Sequence, residues 1–187
     1  MMKDRRTRSY LLTLYSYFTI GCMVLTANTA LKSLMDEFGW SGGQGGLLIS
    51  FMSAGNLLTS VFTGFITSRL GRQRTMMLLG GLIALSFALI TLLPTPALFY
   101  PLMLLAGFSW GGINSIDNTV VSELYDGSAS RLNVMHACYA VGAVLMPLVM
   151  GFILLQGGSW RGAAWIVAAL GVGLVVMAWR IPLPARP

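Results

Sequence analysis

Apolar residues run in long blocks along this chain, and polar residues gather in short breaks between them. A helix needs roughly 20 mainly apolar residues to cross a hydrocarbon core. Six blocks meet or approach that length, at residues 10–31, 46–68, 75–93, 98–124, 132–155 and 160–181. A closed β-barrel is the other structure able to span a bilayer, but its strands alternate apolar and polar residues, and these blocks do not. The pattern predicts an all-α membrane protein with six transmembrane helices in one domain over residues 1–187.

The breaks carry their own signals. Residues 32–45, with Lys32, Asp36, Glu37 and several glycines, read as a longer loop. Pro94 and Pro96 end the third span, and Pro101 falls in the first turn of the fourth, where a missing N–H costs little. Glu123, Asp126, Gly127, Ser128 and Arg131 form the next polar turn, and residues 156–159 a short one. Pro182, Pro184 and Pro187 stop the last helix. A longer loop followed by a short one recurs after spans one and two and after spans four and five, as expected of two three-helix units in an inverted repeat. Trp40, Tyr100, Trp160 and Trp179 fall near span ends and read as interfacial anchors.

Composition agrees with the pattern. The chain has 187 residues, 56% hydrophobic and only 10% charged, against roughly 25% charged in soluble domains. A formal charge of +6 would suggest nucleic acid in a soluble chain. Here the positives lie in loops, where topology and anionic headgroups explain them better. The stretch GFITSRLGRQR concentrates Arg69, Arg72 and Arg74 in one tight turn between spans two and three, and short Arg-rich loops resist translocation. Alternating from that turn puts Lys3, Arg5, Arg6, Arg8, Arg131, Arg180 and Arg186 on the same side and leaves Lys32 and Arg161 outside, so both termini are expected in the cytoplasm, in a multi-pass protein of the cell inner membrane. The basic N-terminus resembles a signal peptide, but its apolar run is too long and no A-x-A site follows, so it reads as a retained first span. Cys22 and Cys138 lie inside apolar blocks and read as small hydrophobes. One histidine, no metal-ligand cluster and no nucleophile–base–orienter set argue against an enzyme, a metal or a cofactor.

Polar residues inside the spans are the candidates for chemistry. In span four Gly107, Gly111, Asn114 and Asn118 share one helical face, with Trp110 on the stripe and Asp117 at its edge. A carboxylate at membrane depth is expected to face a cavity or a partner, where it could load and release protons. The alternative is an acid near the span end that snorkels to water or caps a loop. Span five carries Asn133, His136, Ala140, Ala143 and Pro147 on one face, and His136 could relay protons, bind solute or hold a neighbouring helix. Pro147 is expected to kink that span. Span two presents Ser53, Asn56, Ser60, Thr63 and Thr67, and span one Cys22, Thr26 and Thr29, with Asn28 to one side. Most of these suit close helix packing, while the Asn56 amide needs real partners in a dry setting. Spans three and six carry almost no polar residues and read as lipid-facing.

The Gly64–Arg74 stretch resembles motif A of the major facilitator superfamily, G-x-x-x-D-R-x-G-R-R/K. Gly64, Arg69, Gly71 and Arg72 match, Ser68 replaces the acid and Gln73 a base, and Arg74 closes the turn. In the family that acid helps latch two halves at the cytoplasmic face. GGINSIDNTVVSEL in span four and LNVMHACYAVGAVLMPLVMG in span five resemble the fucose–galactose–glucose proton symporter group. There a polar or acidic residue sits four before an Asn in helix four, which maps onto Asn114 and Asn118, and a histidine early in helix five maps onto His136. The resemblance implies the N-terminal six-helix half of a twelve-span fold whose substrate binds between halves. It implies a half-size, proton-coupled secondary transporter of a small polar solute, possibly a sugar, with Asn114, Asn118 and His136 lining the cavity; the polar stripes add Asn56, Ser53 and Trp110 as cavity-lining candidates and Asp117, along with His136, as a candidate proton carrier. Its partners would be membrane lipid, the solute, and a second six-helix half, as a homodimer or a separate subunit; nucleic acid is not expected. The competing expectation is a truncated or split-gene membrane subunit with an assembly role and no transport alone.

Overall fold

A computed structural model describes residues 2–93 and 95–184, with side chains from residue 5 onward. Pro94, Arg186, Pro187 and the Lys3 side chain lie outside the described residues. Six helices follow one another: α1 (Met2–Phe38), α2 (Gly42–Leu70), α3 (Arg72–Leu92), α4 (Pro96–Leu124), α5 (Ala129–Leu155) and α6 (Trp160–Arg180). There is no strand among the described residues, and all six helices are long and apolar enough to cross a membrane.

Local chemistry explains the helix ends. Ser41 begins α2 with a reciprocal cap: its hydroxyl accepts from the Gln44 N–H while its own N–H donates to Gln44 Oε1 at 2.9 Å, satisfying donors that a helix start leaves orphaned. Gly71 separates α2 from α3 at φ 79°, a left-handed conformation that glycine adopts without a Cβ penalty. Pro96 opens α4 at its first position.

The structure corrects several expectations about the breaks. Residues 32–38 are helical: α1 has 37 residues, about 55 Å at 1.5 Å per residue, so its last turns project beyond a ~30 Å hydrocarbon core and carry Lys32 and Asp36 as an i,i+4 pair at 3.1 Å. Glu123 and Arg131 likewise belong to helices rather than to the turn. The alternation of longer and shorter loops is absent, because the connections at 39–41, 71, 93–95, 125–128 and 156–159 are all short. Pro101 lies a turn deeper than expected, inside α4. Trp40 and Trp160 are buried in an aromatic cluster with Phe38, Phe99 and Tyr100, while Trp179 is 66% exposed and free to anchor at an interface.

The two-unit repeat appears in the packing instead. α2 lies along α4 and α1 along α5, and exchanging the first three helices with the last three turns one pair into the other; α3 and α6 pack on each other. Close backbone approach builds both pairs. A Cβ on Gly55 or Gly107 would meet the Leu104 or Met52 carbonyl oxygen at 2.0 or 1.8 Å, and a Cβ on Gly21 or Gly142 would meet the Tyr139 or Phe18 carbonyl oxygen at 2.2 or 2.4 Å. Small residues at these crossings let van der Waals packing hold helices that lipid does not drive together. α1 is the most enclosed helix, 72% buried over its most apolar stretch, against 28% for α2 and 17% for α5. The flanks formed by α2 and α5 are therefore open. α3 and α6 bury one side in their mutual contact and turn Leu78, Leu85, Val172, Val176 and Trp179 outward.

Charge divides the two ends of the bundle. Arg72 pairs with Glu123, Tyr10 bonds Arg131 and Ser9 bonds the Pro182 carbonyl, which brings the start of α1, the α2–α3 turn, the α4–α5 turn and the end of α6 to one arginine-rich end. At the opposite, aromatic end Glu37 accepts from both Arg161 nitrogens at 2.6 and 3.0 Å and from the Trp160 N–H at 2.7 Å, pinning the end of α1 to the start of α6.

Candidate functional site

One polar cluster joins three helices, and its hub is a residue that sequence reasoning passed over. Tyr17, on α1 and 2% exposed, donates its hydroxyl to Asn114 Oδ1 and accepts from Asn118 Nδ2. Asn118 Nδ2 also lies 3.0 Å from Asn114 Oδ1 and 2.8 Å from the Asn114 carbonyl. The His136 ring of α5 stands edge-on to the Tyr17 ring, with centroids 5.1 Å apart and planes at 87°. The arrangement follows from the helix period: Asn114 and Asn118 are one turn apart on α4, and Tyr17, lying between α4 and α5, reaches both amides and the imidazole. Tyr17 sits in an apolar run with two other tyrosines, so nothing local marks it out; its depth in the span, away from the interface that tyrosine favours, is the signal that was there to find.

Around this hub, groups stay free to bind. Asn114, Asn118 and Trp110 are half-buried, Asn56 is half-buried on α2, and Ser53 and His136 are exposed. No side-chain hydrogen bond joins Ser53, Asn56, Trp110 or His136 to another described residue. Inside the span-four stripe the roles split: Gly107 and Gly111 abut the backbone of Met52 and Asn56 on α2 and serve the helix crossing, whereas Trp110, Asn114 and Asn118 keep open surface. Ser60, Thr63 and Thr67 return their hydroxyls to carbonyls of their own helix, while Cys22 and Thr26 are buried in the packing.

Asp117 turns the other way. It is fully buried; Oδ2 is hydrogen-bonded to the Ser16 hydroxyl of α1, and Oδ1 has no partner. No cationic side chain among the described residues is bonded to it. A buried carboxylate without full hydrogen bonding is expensive, and Asp117 is one of three described residues, with Thr26 and Ser86, that hold a buried side-chain oxygen without a partner. Ser16 is its hydrogen-bond partner, and it has no opening onto the surface shared by Asn114 and His136.

At the arginine-rich end the turn residues also divide. Arg72 is buried and forms a bidentate pair with Glu123, at 2.5 Å from Nη1 to Oε2 and 2.6 Å from Nη2 to Oε1, with the Pro184 carbonyl at 3.4 Å. Gln73 donates to the Ala178 and Trp179 carbonyls at 2.9 and 3.3 Å, tying α3 to the end of α6. Ser68, in the place of an acid, bonds only the Phe65 carbonyl of its own helix, at 2.7 Å. Arg69 lies over the Phe65 ring, and Arg69 and Arg74 are exposed. A Cβ on Gly64 would meet nothing within 4 Å. Glu123 was read from sequence as a turn residue; its pairing across the bundle had no sequence signal. Among the described residues no group of three or more His, Cys, Asp or Glu could hold a metal ion.

The family model of the Major Facilitator Superfamily matches residues 11–187, and the chain belongs to that family. It is 26% identical over 141 residues to an uncharacterized transporter of the family, YfkL of Bacillus subtilis, covering 74% of this chain and 35% of that protein. The fold resembles the crystal structure of the nucleoside transporter NupG, with a TM-score of 0.77 and 16% identity over 97% of this chain and 45% of that one. It also resembles an inward-open structure of the xylose transporter XylE from E. coli, with a TM-score of 0.73 and 13% identity over 93% of this chain and 47% of that one. The chain spans less than half the length of each. The six helices are one half of the major facilitator fold, a 3+3 inverted repeat, in a multi-pass membrane protein.

Proposed function

We propose that this chain forms one wall of a transport cavity for a small, polyhydroxylated solute, a sugar or a nucleoside, and that a second six-helix unit forms the other. The observation that carries the reading is the Tyr17–Asn114–Asn118–His136 cluster, flanked by the open sides of α2 and α5. Ser53, Asn56 and Trp110 add donors, an acceptor and a stacking face with no partner inside the chain, a mixture suited to hydroxyl groups on a flat ring. The solute class draws on two fold relatives, one a nucleoside and one a xylose transporter by title. The wall would sit in the inner membrane with its arginine-rich end and both termini in the cytoplasm, by the charge bias of its loops. The second unit is a further copy of the chain or a separate subunit, and it seats against α2 and α5 and near Gly64.

Transport is proton-coupled in this reading, and the two candidate carriers differ in access. His136 faces the cavity. Asp117 is sealed behind Tyr17 and exchanges its proton when α1 and α4 part during the conformational cycle.

Uptake by proteoliposomes holding the purified chain, scanned over monosaccharides and nucleosides with an imposed pH gradient, tests the proposal. Gradient-driven uptake of one class is expected, with loss on Asn114→Ala. Uptake absent for every class, but restored by a co-purifying membrane partner, supports instead an assembly role for the chain alone. Single cysteines at positions 53, 56 and 136 should crosslink across the partner interface; contacts made only through α3 and α6 sink the shared cavity.

A further inference from the structure

Arg6 and Arg131, at the arginine-rich end, pack on aromatic rings rather than on a described carboxylate. The Arg6 guanidinium carbon lies 4.1 Å from the centroid of the Tyr125 ring, and that of Arg131 lies 4.8 Å from the same ring and 5.4 Å from the Tyr10 ring. The two rings pack edge-on with centroids 5.0 Å apart, and the Tyr10 hydroxyl donates to the Arg131 carbonyl at 2.9 Å. Neither guanidinium has an ion-pair partner among the described residues, and both side chains are exposed. Asp126, the acidic residue nearest Arg131 in sequence, forms no salt bridge with either, and the side chain of Asp4, two residues before Arg6, lies outside the described residues. An exposed arginine normally spreads over many rotamers; stacking on a ring holds it, so little freedom is left to lose on binding an anion. The same turn leads into α5, where Ser128 makes no side-chain cap, so the positive end of that helix faces the same place.

We propose that Arg6 and Arg131, held on the Tyr10–Tyr125 platform where α1, the 125–128 turn and α5 meet, bind the phosphate of an anionic phospholipid headgroup. The position argues for lipid: the pair stands at the start of two helices long and apolar enough to span a membrane, where a span start meets the headgroup layer. Further along the same helices Leu11 and Val134 are 51% and 45% exposed, apolar surface for an acyl chain. Recognition is by a guanidinium fork on phosphate oxygens. The inference is independent of the transported solute and rests only on these helices spanning the membrane.

Native mass spectrometry of the full chain, incubated in detergent with equal phosphatidylglycerol and phosphatidylcholine, reads the site. Wild type should retain phosphatidylglycerol preferentially. An arginine in contact with an anionic headgroup is worth about fivefold, so Arg6→Gln should lose about fivefold and the Arg6→Gln, Arg131→Gln pair about 25-fold, whereas an arginine away from the bound lipid contributes little. Arg69→Gln with Arg74→Gln, an equal charge change at the exposed α2–α3 turn, should lose less than twofold. Tyr125→Leu, which keeps every charge, should lose severalfold. Arg6 makes only a ring contact near the chain start, so its single variant reads out even where the pair unfolds. Equal loss from both arginine pairs overturns the proposal in favour of general surface charge. Displacement of the lipid by millimolar inorganic phosphate overturns it in favour of a free anion. Retention by Arg6→Gln at the wild-type level overturns it outright.

Discussion

Replacing Gly107 by alanine puts one methyl group into the tightest helix crossing. An ideal Cβ there lies 1.8 Å from the Met52 carbonyl oxygen and 2.6 Å from its carbon, and real Cβ contacts essentially never fall below 3.0 Å. The α2 and α4 backbones must therefore part by about 1.2 Å at this point, because the obstructing atoms are main chain and no rotamer relieves the clash. Overpacking of side chains costs typically 1–3 kcal/mol, and a backbone clash belongs at the upper end, about 3 kcal/mol. Alanine's better helix propensity returns about 1 kcal/mol, leaving a net loss of about 2 kcal/mol. At roughly 2–4 °C per kcal/mol for a chain of this size, Tm should fall by about 4–8 °C. Gly151→Ala is the control: its Cβ meets nothing within 4 Å, so Tm should hold or rise slightly. Gly142→Ala, at the equivalent α1–α5 crossing, should behave like Gly107→Ala, since its Cβ meets the Phe18 carbonyl oxygen at 2.4 Å. Thermal unfolding of the purified chain in a fixed detergent, followed by cysteine accessibility or scattering, measures all three. If Gly107→Ala melts with the control, the backbone contact is not what holds α2 to α4 and the reasoning fails.

Three further outcomes follow from the site. Glu123→Gln leaves the buried Arg72 guanidinium without its carboxylate; since Glu123 is itself 34% exposed, solvent screening trims the 3–5 kcal/mol of a fully buried pair to about 2 kcal/mol, read as a drop in Tm that the paired Arg72→Met variant should partly recover. Tyr17→Phe deletes the hydroxyl between Asn114 and Asn118, and should weaken solute binding at least fivefold by equilibrium binding while moving stability by only about 1 kcal/mol; unchanged affinity removes the cluster from the cavity. With Asp117 as the proton carrier rather than His136, Asp117→Asn should abolish pH-gradient-driven uptake yet leave membrane insertion intact, and full coupled transport by that variant would take Asp117 out of the mechanism.

The six spans, the arginine-rich turn and the all-helical class were legible in the chain itself. Whether a stretch partitions into hydrocarbon depends on its own summed transfer energy and needs no knowledge of its neighbours. The motif around Gly64–Arg74 was legible because its residues are contiguous in the chain, although Arg72 and Gln73 act on α4 and α6. Helix ends were less so: residues 32–38 carry charges yet continue α1, since a helix keeps its backbone bonds whether its surroundings are lipid or water.

Which faces meet was decided only in three dimensions. These helices are apolar nearly all round, so periodicity does not say which side is buried. Three neighbours on α4 take three fates by rotation alone: Gly111 meets α2, Asn114 meets Tyr17, and Asp117 turns into Ser16. The Arg72–Glu123 pair, the Glu37 clamp on Trp160 and Arg161, and the burial of Trp40 and Trp160 all join residues far apart in sequence. Even the internal repeat, absent from loop lengths, emerges as matched glycine crossings in α2–α4 and α1–α5. Membrane solvation selects the spans one at a time, whereas the polar surface that would meet a solute comes from how the helices turn against one another.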